Sequence, residues 1–97
     1  MVQTVKSRAL LPGKQMMFFE KPHALHRIFL KITALLPSTG SYQTNISFDD
    51  PSFCDFYALL GPTLYFEAKG DGIFQGDVWV RNVSSISIFY TATEILV

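Results

Sequence analysis

The stretch that decides the fold is "GDVWVRNVSSISIFYTATEILV", Gly76 to Val97. Strand-forming residues fill it. Val78 and Val80 oppose Trp79 and Arg81. Further on, Ile86, Ile88 and Tyr90 point one way, while Phe89 and Ile95 point the other. A period of two is the signature of a strand with distinct faces. Here both faces carry large apolar groups in places, so the last strand has one face in its own core and another that needs separate cover.

Working back along the chain, turn signals recur at short intervals: Pro12-Gly13, Lys21-Pro22, Pro37-Ser38-Thr39-Gly40, Asp49-Asp50-Pro51, Gly61-Pro62, Gly70-Asp71-Gly72 and Gly76-Asp77. Each combines residues that tolerate tight geometry with residues that fix φ or bond their own backbone. The segments between them alternate. Ile28, Leu30 and Ile32 oppose Arg27, Phe29, Lys31 and Thr33. Tyr42, Ile46 and Phe48 oppose Gln43, Asn45 and Ser47. Leu64, Phe66 and Ala68 oppose Tyr65 and Glu67. "KQMMFFE", Lys14 to Glu20, is apolar on both faces and reads as a doubly covered strand. A first strand falls within Thr4 to Leu11.

Many short strands with regular turns predict an all-β fold, an antiparallel β-sandwich or jelly-roll-like arrangement. One domain spans residues 1–97. "PSFCDFYALLG", Pro51 to Gly61, places Phe53, Phe56, Tyr57 and Leu60 at spacings of three and four. It predicts at most one short helix near residues 51–60, or a loop with one helical turn. The expected inner core is Ile28, Leu30, Ile32, Phe48, Phe66, Val78 and Val80.

Composition sharpens the question of cover. The 97 residues are 48% hydrophobic and include nine Phe, four Tyr and one Trp. A chain of this size buries roughly 65% of its unfolded surface. Charged residues make up only 16%, and mean hydropathy is +0.23. Some apolar surface is left for a partner or an exposed patch. Eight basic and eight acidic residues cancel, which weighs against nucleic acid and against strong self-repulsion. No run approaches the ~20 apolar residues of a bilayer-spanning helix, so no membrane contact is expected. The N-terminus lacks the order of a signal peptide.

The residue types that carry chemistry do not assemble into a motif. His23 and His26 have no nearby third ligand, and zinc usually needs three or four. His23 reads as a solvated loop residue and His26 as a strand end. Asp49, Asp50, Asp55, Asp71 and Asp77 match no calcium loop; Asx-turns and helix capping explain the first two. Glu20, Glu67 and Glu94 come from different strands and read as solvated. Ser84-Ser85 has no histidine–acid context. "GDGIFQG", Gly70 to Gly76, is neither a P-loop nor a dinucleotide pattern and reads as a long hairpin turn. The single cysteine, Cys54, reads as a small buried hydrophobe. No catalytic, cofactor-binding or metal-binding residue is assigned, and no enzyme activity is expected.

Trp79 and Arg81 admit two readings. An exposed tryptophan can stack on a sugar, with arginine bonding hydroxyls, as in a carbohydrate-binding module or a receptor-binding head. The simpler reading is packing at a sheet edge or subunit interface. Because Phe29, Phe89 and Ile95 also face away from the expected core, a broad contact is favoured. The expected interface is Phe29, Trp79, Arg81, Phe89 and Ile95.

The ending "FQGDVWVRNVSSISIFYTATEIL" resembles the C-terminal strands of small β-sandwich virion proteins of tailed bacteriophages. The matching residues are Gly76, Val78, Trp79, Val80, Arg81, Asn82, Ser84, Ser85, Ile86 and Ile88, roughly the last quarter of the chain, with weaker similarity in "LPGK" near the start. The resemblance implies a capsid decoration, tail or adaptor protein with no catalytic residues. It implies a virion location after assembly in the host cytoplasm. Its partners would be further copies of itself, as a homo-oligomer, and other virion proteins.

Overall fold

The computed structural model describes residues 1–35, 42–61 and 64–97. The expected turn at Pro37-Ser38-Thr39-Gly40 and the Pro62 of Gly61-Pro62 lie outside these residues. Among the described residues there are eight strands: β1 (Val2–Leu10), β2 (Gln15–Phe19), β3 (Arg27–Leu35), β4 (Tyr42–Phe48), β5 (Tyr57–Gly61), β6 (Tyr65–Lys69), β7 (Val78–Asn82) and β8 (Ile88–Leu96). They form two four-stranded sheets, ordered β1-β8-β3-β6 and β2-β7-β4-β5. All pairings are antiparallel.

The pairing is nested: β1 with β8, β2 with β7, β3 with β6, β4 with β5. Eight strands in two sheets wound in this way are a jelly roll. Consecutive strands mostly change sheet. The Gly70–Gly76 segment is therefore a crossover between sheets, from β6 to β7, and not a hairpin turn.

The core lies between the sheets. Leu30, Ile32, Val78 and Val80 are fully buried, as the alternation predicts, together with Phe18, Ile46, Leu64, Ile88, Tyr90 and Ala92. Phe48 and Phe66 pack against this cluster while half-buried. In β7 and β8 the buried residues alternate along the strand, matching the sequence pattern. Phe18 and Phe19 are adjacent yet both buried, because the β2–β7 register shifts between Met17 and Phe19. A bulge of this kind lets consecutive side chains turn to the same side.

A second register shift, between Arg27 and Phe29 against β8, corrects the reading of β3. Simple alternation puts Arg27 on the outer face with Phe29. The shift moves Arg27 inward, where it is completely buried, and leaves Ile28 only half-buried. Arg27 Nε donates to Glu94 Oε2 at 3.0 Å. Its other nitrogens donate to the carbonyls of Glu20, Phe74 and Gly76. Glu94 is therefore a buried partner and not a solvated strand residue. A charge is tolerated inside a protein when paired and fully hydrogen-bonded in this way.

No helix forms among the described residues. The Pro51–Gly61 stretch is a turn followed by β5. The Asp50 carboxylate accepts from Ser52 N, Cys54 N and Asp55 N, which closes a loop and takes the Cys54 and Asp55 amides away from the i→i−4 bonds they would make in a helix. Phe53 sits at φ 55, outside helical geometry. Cys54, expected to be buried, is exposed on this loop, because its own amide is turned toward Asp50. The loop folds back over the outer face of β4: the single Ser47 hydroxyl proton is shared between the carbonyls of Asp50 and Asp55, 2.8 and 3.1 Å from Oγ. That cover buries Asn45 and Ser47, which alternation alone would leave in solvent.

Candidate interaction surfaces

Alternation on β8 and β3 sends Phe89, Thr91, Thr93 and Ile95, and Phe29, Lys31, Thr33 and Leu35, to the outer face of the β1 sheet. Phe29 and Ile95 are register partners at one end of that face. At the other end Phe89 stands between Ala9 on β1 and Leu35 on β3. With Ser87 and Ile88, these residues line a shallow apolar notch of about 290 Å³. Leu35 is 73% exposed and Phe89 44%. Between the apolar ends runs a polar belt. Ser7 and Thr91 hydroxyls lie 3.2 Å apart, and Thr33 donates to the Thr91 carbonyl at 3.4 Å. Lys31 faces Glu67 in register.

Three of the expected interface residues, Phe29, Phe89 and Ile95, thus share one sheet face. Trp79 and Arg81 do not join them. They lie on the outer face of the other sheet, where Trp79 pairs with Met17 and Ser47. Arg81 is engaged within the chain: its guanidinium lies 4.3 Å from the Phe53 ring centroid, and Nε donates to Gln15 Oε1 at 3.0 Å. Leu35 escaped the sequence reading, although its parity with Phe29 was available in the alternation.

A second feature lies on the open side of the sandwich, where β5 and β6 are the sheet edges. Phe48 and Phe74 stack at 4.1 Å between centroids, with an interplanar angle of 9°. Tyr57 and Phe66 pack edge-on or tilted around them. A groove of about 370 Å³ opens here, lined by Ile46, Phe48, Asp55, Phe56, Tyr57 and Phe74. Phe56 and Tyr57 are 45% and 49% exposed at its mouth. The sequence reading placed both on one helical stripe. The loop that replaces the helix turns them out.

The β1 strand is the third feature. Its nine residues pair with β8 in unbroken register, from Val2↔Leu96 to Leu10↔Ile88. Among them only Leu10 is buried. The facing sheet reaches β1 near its middle, where Lys6 Nζ donates to the Phe18 carbonyl at 3.2 Å, and at its end, where Asn82 Nδ2 donates to the Leu10 carbonyl at 2.9 Å. Ordering a residue costs about 1–2 kcal/mol of backbone entropy. A net hydrogen bond returns about 0.5–1.5 kcal/mol. With little apolar burial to add, β1 sits near balance in the isolated chain.

Titratable groups do not converge on any of these surfaces. Among the described residues no cluster of three or more His, Cys, Asp or Glu is placed to hold a metal ion. Cys54 Sγ lies 3.2 Å from Ser52 Oγ. His23 and His26 are exposed, and His26 closes the end of the β1 sheet through paired backbone bonds with Val97.

The fold has a counterpart among solved structures. Over 95% of its length the chain is similar to Peruvianin-I, described as a cysteine peptidase from Thevetia peruviana latex, with a TM-score of 0.52 and 19% identity. The chain spans about half of that protein, 49% of its length. At this identity the likeness concerns the fold. No family model matches the chain, and no curated protein matches it.

Proposed function

We propose that this chain is a non-enzymatic structural or accessory subunit of a tailed-bacteriophage virion, either a capsid decoration protein or a tail or adaptor component, working through subunit contacts. The observation that carries the reading is the outer face of the β1 sheet, where Phe29–Ile95 and Phe89–Leu35 present apolar groups at both ends of a polar belt. Jelly rolls serve as capsid domains as well as lectin and cupin domains, so the fold is compatible with the role without selecting it. Several modest contacts repeated over a lattice hold a subunit by effective concentration. The test is purification of intact particles followed by identification of their proteins. The chain is expected in the particles, and Leu35→Glu/Phe89→Glu is expected to be lost from them while folding normally. Its absence from any particle sinks the reading.

A carbohydrate-binding role is the second reading, and the groove favours it at a different place from Trp79. Exposed Phe56 and Tyr57 beside the Asp55 carboxylate offer rings and an acceptor together. A glycan screen with Trp79→Ala and Phe56→Ala/Tyr57→Ala separates the two positions. A glycan signal abolished by the latter supports this reading, and no signal on any glycan removes it.

A further inference from the structure

The jelly roll has four edge strands, and three are guarded by length or shape. β2, β5 and β6 have five residues each, and β2 is bulged. Short or bulged edges are poor templates for another strand. β1 differs: it has nine residues, an unbroken register with β8, and neither proline nor glycine, so its guards are the two charges Lys6 and Arg8. On its far side no strand pairs with it among the described residues. Eight of its nine residues are exposed.

We infer that β1 is the self-association site of this protein, pairing antiparallel with β1 of a second copy to join two four-stranded sheets into one of eight strands. This deepens the proposed function and rests on the reading of the chain as an assembly subunit. An antiparallel edge is its own complement, and a twofold axis perpendicular to the sheet relates the two strands. Under that axis only residues of like parity oppose one another. Charge then selects among the registers. An axis through Lys6 sets Lys6 against its own copy, and an axis through Ser7 sets Lys6 against Arg8. Both place like charges directly opposite, which is unfavourable. An axis through Thr4 shortens the paired stretch. An axis through Val5 sets Val5 against Val5, Lys6 against Thr4, Ser7 against Gln3, and Arg8 against Val2. Val5 is 58% exposed and Val2 47%, and this register covers both.

The register also aligns the outer faces of the two β1 sheets on the same side. The apolar ends described above then form one surface, with Val5 of each copy at its centre. Lys6 does not oppose the approach in this register, because it stands across from Thr4 and not from another cation.

The experiment uses the full chain in a Cys54→Ser background, since Cys54 is exposed. Single cysteines are placed at Val5, Gln3 and Arg8, and dimers are trapped by oxidation or a short bismaleimide. Efficient trapping is expected at Val5 and not at Gln3 or Arg8, whose copies lie well apart in this register. Light scattering across concentration is expected to show a dimer that Val5→Glu weakens by about tenfold or more, through like charges facing across the axis. Val5 is on the surface, and an unchanged unfolding midpoint confirms that the variant folds. A dimer that survives Val5→Glu and is not trapped at Val5 overturns edge pairing but leaves the assembly reading intact. A wild-type chain that stays monomeric overturns the self-association site, while the particle experiment decides separately whether the chain belongs to a virion.

Discussion

Arg27 and Glu94, 67 positions apart in the chain, meet at 3.0 Å inside the sandwich. Their pairing fastens β3 to β8, and the same guanidinium reaches the carbonyls of Glu20, Phe74 and Gly76. One side chain thus holds both sheets and the crossover between β6 and β7. Gln75 strengthens the joint: its side chain accepts from Arg27 N at 2.9 Å and donates to the Arg27 carbonyl at 2.8 Å.

Removing the carboxylate leaves a buried, unpaired cation. Glu94→Ala is expected to cost about 3–5 kcal/mol of stability. Urea unfolding measures this. The double variant Arg27→Met/Glu94→Met should be more stable than Glu94→Ala alone, since no lone charge remains. A double variant that is no better than the single would show that the carbonyl bonds, and not the ion pair, dominate.

Gly76 is required by close approach. A Cβ placed there meets the Asp49 carboxyl group, with Oδ2 at 2.1 Å and Cγ at 2.4 Å. Asp49 is not free to retreat, because Oδ1 accepts from Asp77 N at 2.8 Å. Gly76→Ala should destabilise by about 1–3 kcal/mol, the usual range for forced overpacking. Asp49→Gly in the same chain removes the clash and also suits the φ of 60 at that position. Thermal unfolding of the single and double variants should show partial recovery.

Burial pushes the Tyr90 hydroxyl up to about 12 from an ordinary 10.0, with its hydrogen bond to Thr44 opposing the shift. Below pH 10 both folded and unfolded states keep the proton, and the full stability is present. Between pH 10 and about 12 only the unfolded chain releases it, so stability falls as pH rises. Tyr90→Phe should flatten this alkaline loss. It should also cost about 1–3 kcal/mol at neutral pH, because the Thr44 hydroxyl, 2.6 Å from the Tyr90 oxygen, loses its buried partner. Denaturant titrations at several pH values read both effects.

The Asp50 carboxyl is held below the ordinary 3.8, chiefly by the Ser52 hydroxyl and further by the backbone amides of Asp55, Ser52 and Cys54. Its contribution is present above pH 3.8 and is lost as pH falls through the lower folded value. Amide proton resonances of Ser52, Cys54 and Asp55 should titrate together, with a midpoint below 3.8. In Asp50→Ala that shared transition should vanish at constant fold. Independent midpoints for the three amides would contradict a single controlling carboxylate.

Local alternation carried much of this architecture. Val78 and Val80 against Trp79 and Arg81, and Ile88 and Tyr90 against Phe89, are each placed as their period of two predicts. What local pattern could not carry is cross-strand register. The bulge that turns Arg27 inward arises from how β3 meets β8, and no residue near Arg27 announces it. The fold-back at Asp50 is similar: its helical spacing was real, but four donors on one carboxylate outcompete a helix. For the surfaces, parity told which side chains leave the core but not which sheet they leave from. Phe29 and Trp79 therefore looked like neighbours and are on opposite faces.

The nesting of β1 with β8 also sets the order of assembly in time. β8 follows the other seven described strands in the chain, yet it lies between β1 and β3 in its sheet. Two strands must wait for it, and their pairing closes nearly the whole chain into a loop. Contacts so distant in sequence make for slow folding. During synthesis the β1 segment stays without its partner until β8 has left the ribosome.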